Sequence, residues 1–346
     1  MSIQRLSKAG DTRTPARGVY VAGITAAISG VSVFVNSYGV KAVASPAVYT
    51  TAKNLAATFF LALAMLVAST ARSRRGGSIR ANFATPHELS ESLGDGARSA
   101  TQTSDPSSVG RWLGLAYVGV IGGGLAFVLF FDGLAQSEPA SAAFWRDTLV
   151  LWVAVLAVPF LRERIRWWNV AAVAFLIIGE VTFTGGVGSL AANRGEMYVL
   201  AATILWAIEV VIAKRLLRSL SPATISVVRT GVGAAALVVY LAATGALGTL
   251  LAFNAAQFGW AIWTGLLLGA YVATWMTALS RARALDVTSV LVASVLLTWL
   301  LQLMAGTASA AASSSLGLIL IALGAVLIVW ASVHRQAPQR RLTSQP

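Results

Sequence analysis

The sequence predicts an all-α integral membrane protein, with ten transmembrane helices in two inverted five-helix repeats and both N- and C-termini cytoplasmic. Three observations carry that prediction. Of 346 residues, 57% are hydrophobic and only 11% charged, and the mean hydropathy is +0.73, outside the range of a soluble domain. The apolar residues fall into runs long enough to cross about 30 Å of hydrocarbon, joined by polar segments that are mostly short. Finally, Ser45 to Lys53, reading SPAVYTTAK, returns 176 residues later as Ser221 to Arg229, SPATISVVR.

In chain order, residues 1–17 form a polar, basic tail, and the run 18–40 is longer than the apolar core of a cleaved signal peptide, so it reads as a first span. Ser45 and Pro46 then suit an N-cap and the first helical position, where the missing N–H of proline costs nothing; a second span over 46–70 follows. Residues 71–110, rich in Ser, Gly and charge, bury little apolar surface and are expected to be a mobile cytoplasmic loop. Spans over 112–136, 139–160 and 167–184 complete a first repeat, 18–184. An external linker, 185–196, leads to runs at 197–213, 222–244, 258–280, 287–305 and 315–333, a second repeat over 197–333, and the chain ends in a basic cytoplasmic tail, 334–346.

Charge placement gives this segmentation an orientation. The net charge of +13 comes from 26 bases, and most fall in segments that would be cytoplasmic if the N-terminus is inside, among them Arg72, Arg74, Arg75, Arg162, Arg164, Arg166, Lys214 and Arg215. Lys41 and Arg194 alone lie outside, and Lys53, Arg146 and Arg229 lie within spans. The basic balance is therefore a matter of topology, matched to anionic lipid headgroups of a plasma membrane, and no nucleic-acid partner is needed to explain it. There is no cysteine, which excludes disulfides and thiolate sites, and the only two histidines, His87 and His334, lie outside the spans. No cofactor or metal is expected.

The repeat singles out particular residues. Without gaps, Ile28 to Lys53 falls on Ile204 to Arg229, and because five spans is an odd number the second copy enters the membrane from the opposite side. Lys53 and Arg229 hold matching positions, about 12 Å along their helices, where an unpaired cation is costly. Both are expected to face the interface of the two halves and, with Arg146, to bind an anionic group of a solute. Four carboxylates also lie in spans: Asp132, Asp147, Glu180 and Glu209. They are candidates for proton carriage or for pairing with the cations, Arg229 with Glu209 and Lys53 with Glu180 or Asp132, and the sequence leaves both uses open. By depth, Lys53, Asp132, Arg146, Asp147 and Glu180 are expected in an outer cluster, with Glu209 and Arg229 in an inner one. Arg146 and Asp147 are neighbours, about 100° apart around a helix, and are expected not to pair with each other.

Other patterns read as architecture. Gly119, Gly122, Gly123 and Gly124 permit close helix packing. The turn Arg162, Glu163, Arg164, Arg166 reads as a solvated, orientation-setting joint. The deeper tryptophans, Trp145, Trp152, Trp206, Trp275 and Trp299, face lipid or neighbouring helices more often than a solute. Asn36, Asn54 and Gln302 are candidate polar contacts inside the bundle. VPFLRERI followed by IIG places Pro159, Glu163 and Gly179 as the EamA branch of the drug/metabolite transporter superfamily does, and the chain resembles that family over all but its tails and residues 71–110. Ala172 stands where a Gly is usual, and MAGTASAAASSS around Met304 to Ser315 lacks the Pro and Glu in the second half. The resemblance implies two inverted five-helix repeats and secondary transport, as export, of an amino acid, other metabolite or drug-like solute. The competing class is a membrane-embedded enzyme or scramblase acting on a lipid-borne substrate, for which no nucleophile and base stand at a diagnostic spacing.

Overall fold

A computed structural model describes residues 14–43, 45–80, 108–137, 145–163, 165, 167–183, 193–307 and 312–334, and every regular element among them is helical. That is the outcome a hydrocarbon solvent enforces, since a helix satisfies its own backbone polar groups within one segment. The protein is a multi-pass α-helical membrane protein. Among the described residues seven helices are long and apolar enough to cross a bilayer: Arg17–Ala42, Pro46–Ala71, Val109–Gly133, Arg194–Leu216, Pro222–Ala243, Ala255–Arg281 and Ala284–Met304. Their outer surfaces carry large apolar side chains such as Phe59, Leu66, Val239 and Trp263, and Val155, Trp112 and Trp167 are also exposed, as lipid contact requires.

Helix α1 spans Thr14–Ala42 and α2 spans Pro46–Arg80. The second persists ten residues beyond the expected end at Thr70, so RSRRGGSIR is helical rather than loop; each added residue closes one more hydrogen bond on a turn already nucleated. The rest of the expected mobile loop, up to residue 107, lies outside the described residues. Next come α3, Ser108–Ala116, a π-helical stretch, Tyr117–Leu125, and α4, Ala126–Ala135, running on as one rod. Helix α5 covers Leu149–Leu161 and α6 covers Trp167–Phe183.

The second half holds α7, Arg194–Leu216; α8, Pro222–Ala243; the short α9, Leu247–Leu251; α10, Ala255–Arg281; α11, Ala284–Val292; α12, Ser294–Met304; and α13, Ala312–His334. Ser221 caps α8 as its sequence predicts, its Oγ accepting from Thr224 N–H at 3.1 Å with Pro222 at the first helical position. Asn193 and Asn254 open α7 and α10 with capping boxes closed by Glu196 and Gln257.

Two expected spans are interrupted. Residues 145–147 form a turn of helix that breaks at Thr148 before α5, and Ala293 separates α11 from α12. At Thr148 the hydroxyl donates to Trp145 O at 2.6 Å, and at Ala293 the backbone N–H donates to Val290 O, tightening each turn.

Most helices pack on a partner from the other half. Helix α1 lies on α10, α11 and α12, while α7 lies on the π-helical stretch, α4 and α5; α2 lies on α10 and on α8, and α8 also lies on the π-helical stretch. Helix α6 packs along α13, where Gly179 is so close to the Gly317 carbonyl that a Cβ would stand 2.8 Å from it. The central core gathers Ala57, Val118, Ala207, Ile225, Val272 and Met276 from five of these rods.

Candidate functional site

Glu209 on α7 and Arg229 on α8 are both buried, and they form the pair that the sequence left open as one of two uses: Nε donates to Oε1 at 2.5 Å and Nη2 to Oε2 at 3.1 Å. Arg229 Nη2 also approaches the Gly122 carbonyl at 3.4 Å, and Trp206 Nε1 donates to the same oxygen at 3.0 Å. The glycines make this possible. A Cβ on Gly122 would collide with the Glu209 carboxylate and one on Gly123 with the Arg229 carbonyl, so the π-helical stretch can lie directly against the ion pair. A π-helical stretch is itself a common mark of a functional site.

Lys53 on α2 is 5% exposed and differs from Arg229 in one respect: among the described residues no carboxylate lies within ion-pair distance of it. Its ammonium donates to Asn36 Oδ1 at 3.3 Å, an oxygen that also accepts from Tyr49 OH at 2.8 Å. Three rings surround the charge, with centroids at 5.4 Å for Tyr49, 6.0 Å for Phe127 and 5.0 Å for Phe131. Arg229 Cζ lies 5.6 Å from the centroid of the same Phe127 ring. The two repeat-matched cations thus meet around one aromatic side chain, supplied by α4 where α2 and α8 cross.

The members expected in an outer and an inner cluster therefore adjoin at this ring. Two bases each about 12 Å inside opposite faces of a layer of about 30 Å are separated by only about 6 Å of depth, within reach of two long side chains. Of the two expected partners of Lys53, neither pairs with it among the described residues. Asp132 is exposed, and the side chain of Glu180 lies outside the described residues.

Arg146 and Asp147 contradict the expectation that neighbours cannot pair: Nε and Nη2 both donate to Asp147 Oδ1, at 2.8 and 2.6 Å. The reading from Cβ directions overlooked how far a guanidinium can fold back, and the break at Thr148 frees the turn that carries both residues. Tyr271 on α10, stacked on Trp275 with centroids 6.1 Å apart, lies in the electrostatic field of this pair and of Arg229 and Glu209 alike.

A second polar cluster lies where α5, α7, α10 and α11 end or begin. Glu163 is more than a solvated joint: its carboxylate accepts from Ala284 N–H at 2.9 Å and Leu285 N–H at 3.4 Å, capping α11, whose own N-cap residue, Arg283, offers no side-chain acceptor. Lys214 Nζ donates to Leu279 O and to Ala282 O, closing the end of α10, and Arg215 Nη2 donates to Phe160 O at 2.7 Å. Arg283 pairs with Asp286 at 2.7 Å. Burial works against the Arg283 charge, yet the bond to Asp286 and the nearby carboxylates of Asp286 and Glu163 hold its guanidinium above its ordinary range.

Comparison with known proteins bears on what such an arrangement is for. The EamA-like transporter family matches residues 98–184 and 193–330, well over half of the sequence. The chain belongs to the EamA-like transporter family. As a member it is a membrane transporter and not an enzyme. A crystal structure of a protein 18% identical to it aligns over 93% of this chain and 99% of its own length with a TM-score of 0.63, a likeness of fold alone. No curated protein matches the sequence. Within this EamA-like chain the residues that carried the resemblance are structural. Pro159 lies in the last turn of α5, Glu163 caps α11 and Gly179 seats α6 on α13.

Sequence reasoning found both cations, Glu209 and Asn36, but missed Tyr49, Phe127, Phe131 and the Gly122 carbonyl. The available signal was the i, i+4 spacing of Phe127 and Phe131 directly after the glycine run, which sets two rings on one helix face.

Proposed function

We propose that this transporter works by alternating access as an exporter of a small solute across the plasma membrane, with ten spans in two inverted halves and cytoplasmic termini. The observation that carries the reading is the meeting of Lys53 and Arg229 around Phe127, one from each half, with Lys53 lacking a carboxylate partner among the described residues. A buried cation held only by an amide oxygen and rings is a site for an incoming anionic group. Glu209 and Asp147 are the groups through which a proton could exchange with solute, and Arg146, beside Asp147, is a further solute contact on this reading.

The helix pairings support the inverted repeat. Exchanging the halves carries α1 on α10 into α7 on the π-helical stretch and α4, carries α2 on α10 into α8 on the π-helical stretch, and carries α5 on α7 into α11 and α12 on α1, while α2 on α8 and α6 on α13 map onto themselves. Interruptions in both halves, at Thr148 and Ala293, suit a transporter whose halves rock about a shared centre.

Solute counterflow in proteoliposomes tests the function. Exchange of labelled solute across sealed vesicles, without chemical change, is expected for the wild type and lost in Lys53→Gln. Wild-type counterflow in both Lys53→Gln and Arg229→Gln would remove the two cations from the solute path.

A further inference from the structure

We propose that the site between Lys53 and Arg229 takes a singly charged anion with a flat, apolar body: a monocarboxylate carrying no ammonium group. This rests on the transport reading above and narrows its solute.

The charge count comes first. Among the described residues Lys53 and Arg229 face a single carboxylate, Glu209, which leaves one cation in surplus beside Phe127. The surplus comes from the imperfect symmetry of the repeat. In the 176-residue frame the position matching Glu209 is Val33, so the copy that keeps the lysine has lost the counterion. Neutral Asn36 stands beside Lys53 instead. A lone cation in a low-dielectric layer is costly to maintain, and a bound anion relieves that cost.

Donors and acceptors give the same answer. The Lys53 ammonium has three N–H bonds and one hydrogen-bond acceptor, at 3.3 Å, and Arg229 Nη1 has no partner among the described residues. A carboxylate brings acceptors to both. The acceptors already there are spoken for, because both Glu209 oxygens are held by Arg229 and Asn36 Oδ1 takes both Tyr49 and Lys53. An ammonium on the solute would find no free carboxylate at Lys53 among the described residues.

The surroundings define the body of the solute. Tyr49, Phe127 and Phe131 enclose the ammonium, and Trp206 stands edge-on to Phe127 with centroids 5.4 Å apart. Such rings favour a flat, apolar group over a polar one. The competing feature is Asp147 Oδ2, a buried acceptor without a hydrogen-bond partner among the described residues, which an ammonium could use. Phenylalanine is therefore the decisive comparison.

The experiment is calorimetric titration of the purified full-length protein in lipid nanodiscs with four probes of similar size: phenylpropanoate, phenylalanine, phenethylamine and hexanoate. Phenylpropanoate is expected to bind about tenfold or more tightly than each of the others. Lys53→Gln should weaken it by on the order of 10- to 100-fold, the loss of one charge-assisted contact, while Lys53→Arg should stay within about tenfold of wild type. Phenylalanine binding as tightly as phenylpropanoate, and lost in Lys53→Gln, would overturn the solute class while leaving the site in place. Binding of any probe that is unchanged in Lys53→Gln would overturn the site as well. Failure of all four probes with wild-type protein that still performs counterflow would overturn the class and leave transport standing.

Discussion

Replacing Glu209 by Gln would leave Arg229 as a buried guanidinium with no counterion. In the wild type that guanidinium has two contacts to Glu209, at 2.5 and 3.1 Å, a weaker approach to the Gly122 carbonyl at 3.4 Å and the Phe127 ring at 5.6 Å. Only the last two survive the substitution unchanged. Removing one partner of a buried ion pair costs about 3–5 kcal/mol, because the remaining charge keeps its desolvation penalty. A ring contact of up to about 2 kcal/mol was present before and offsets nothing new. Arg229→Gln should be similarly destabilising, because it strands the carboxylate. The double variant Glu209→Gln, Arg229→Gln removes both charges and should be more stable than the sum of the single losses by roughly 1–3 kcal/mol. Denaturant titration in detergent, followed through intrinsic tryptophan fluorescence, measures all four proteins. A double variant whose loss equals that sum, to within about 0.5 kcal/mol, would refute the pairing as a structural element.

Gly123→Val would press a side chain into the Arg229 carbonyl and should cost at least about 1–3 kcal/mol, seen as a lower midpoint in the same titration; an unchanged midpoint would mean that α8 does not approach the π-helical stretch so closely. Glu163→Gln removes the charge that caps α11 and should lose about 1 kcal/mol. Native-state hydrogen exchange should then quicken at Ala284 and Leu285, and unchanged exchange there would contradict the cap. Ser221→Ala should cost on the order of 1 kcal/mol through the start of α8, and a change confined to another helix would exclude capping as the cause.

The parts of the fold that follow from local chemistry were legible in the sequence. Ser221 and Pro222 start α8 where a cap and a first-turn proline belong, and the gapless repeat marked Lys53 and Arg229 as equivalent before any contact was known. The partnership of Arg229 with Glu209 was also legible, since two opposite charges in one hydrocarbon layer have strong reason to meet. Contacts between distant segments were not. Glu163 reaches backbone 121 residues away, and nothing near LRERIR announces that α11 lacks its own cap. The breaks at Thr148 and Ala293 fall at residues that neither Pro nor Gly marks, so an apolar run reads as one rod. Arg146 and Asp147 were misjudged because helix geometry governs Cβ directions and not the end of a long side chain. Among the described residues Lys53 has no carboxylate partner because Asp132 lies outward, and hydropathy does not encode that direction.

On the proposed reading, inversion of the halves brings an arginine with a counterion and a lysine with none among the described residues to the same ring, and the most direct test of it uses the absence of native cysteine. Ser45→Cys and Ser221→Cys, each placed singly in the full chain, are reacted with a membrane-impermeant thiol reagent on intact cells and then on opened membranes. The account predicts that Ser45→Cys reacts on intact cells and Ser221→Cys only after opening; labelling of both from one side would contradict it.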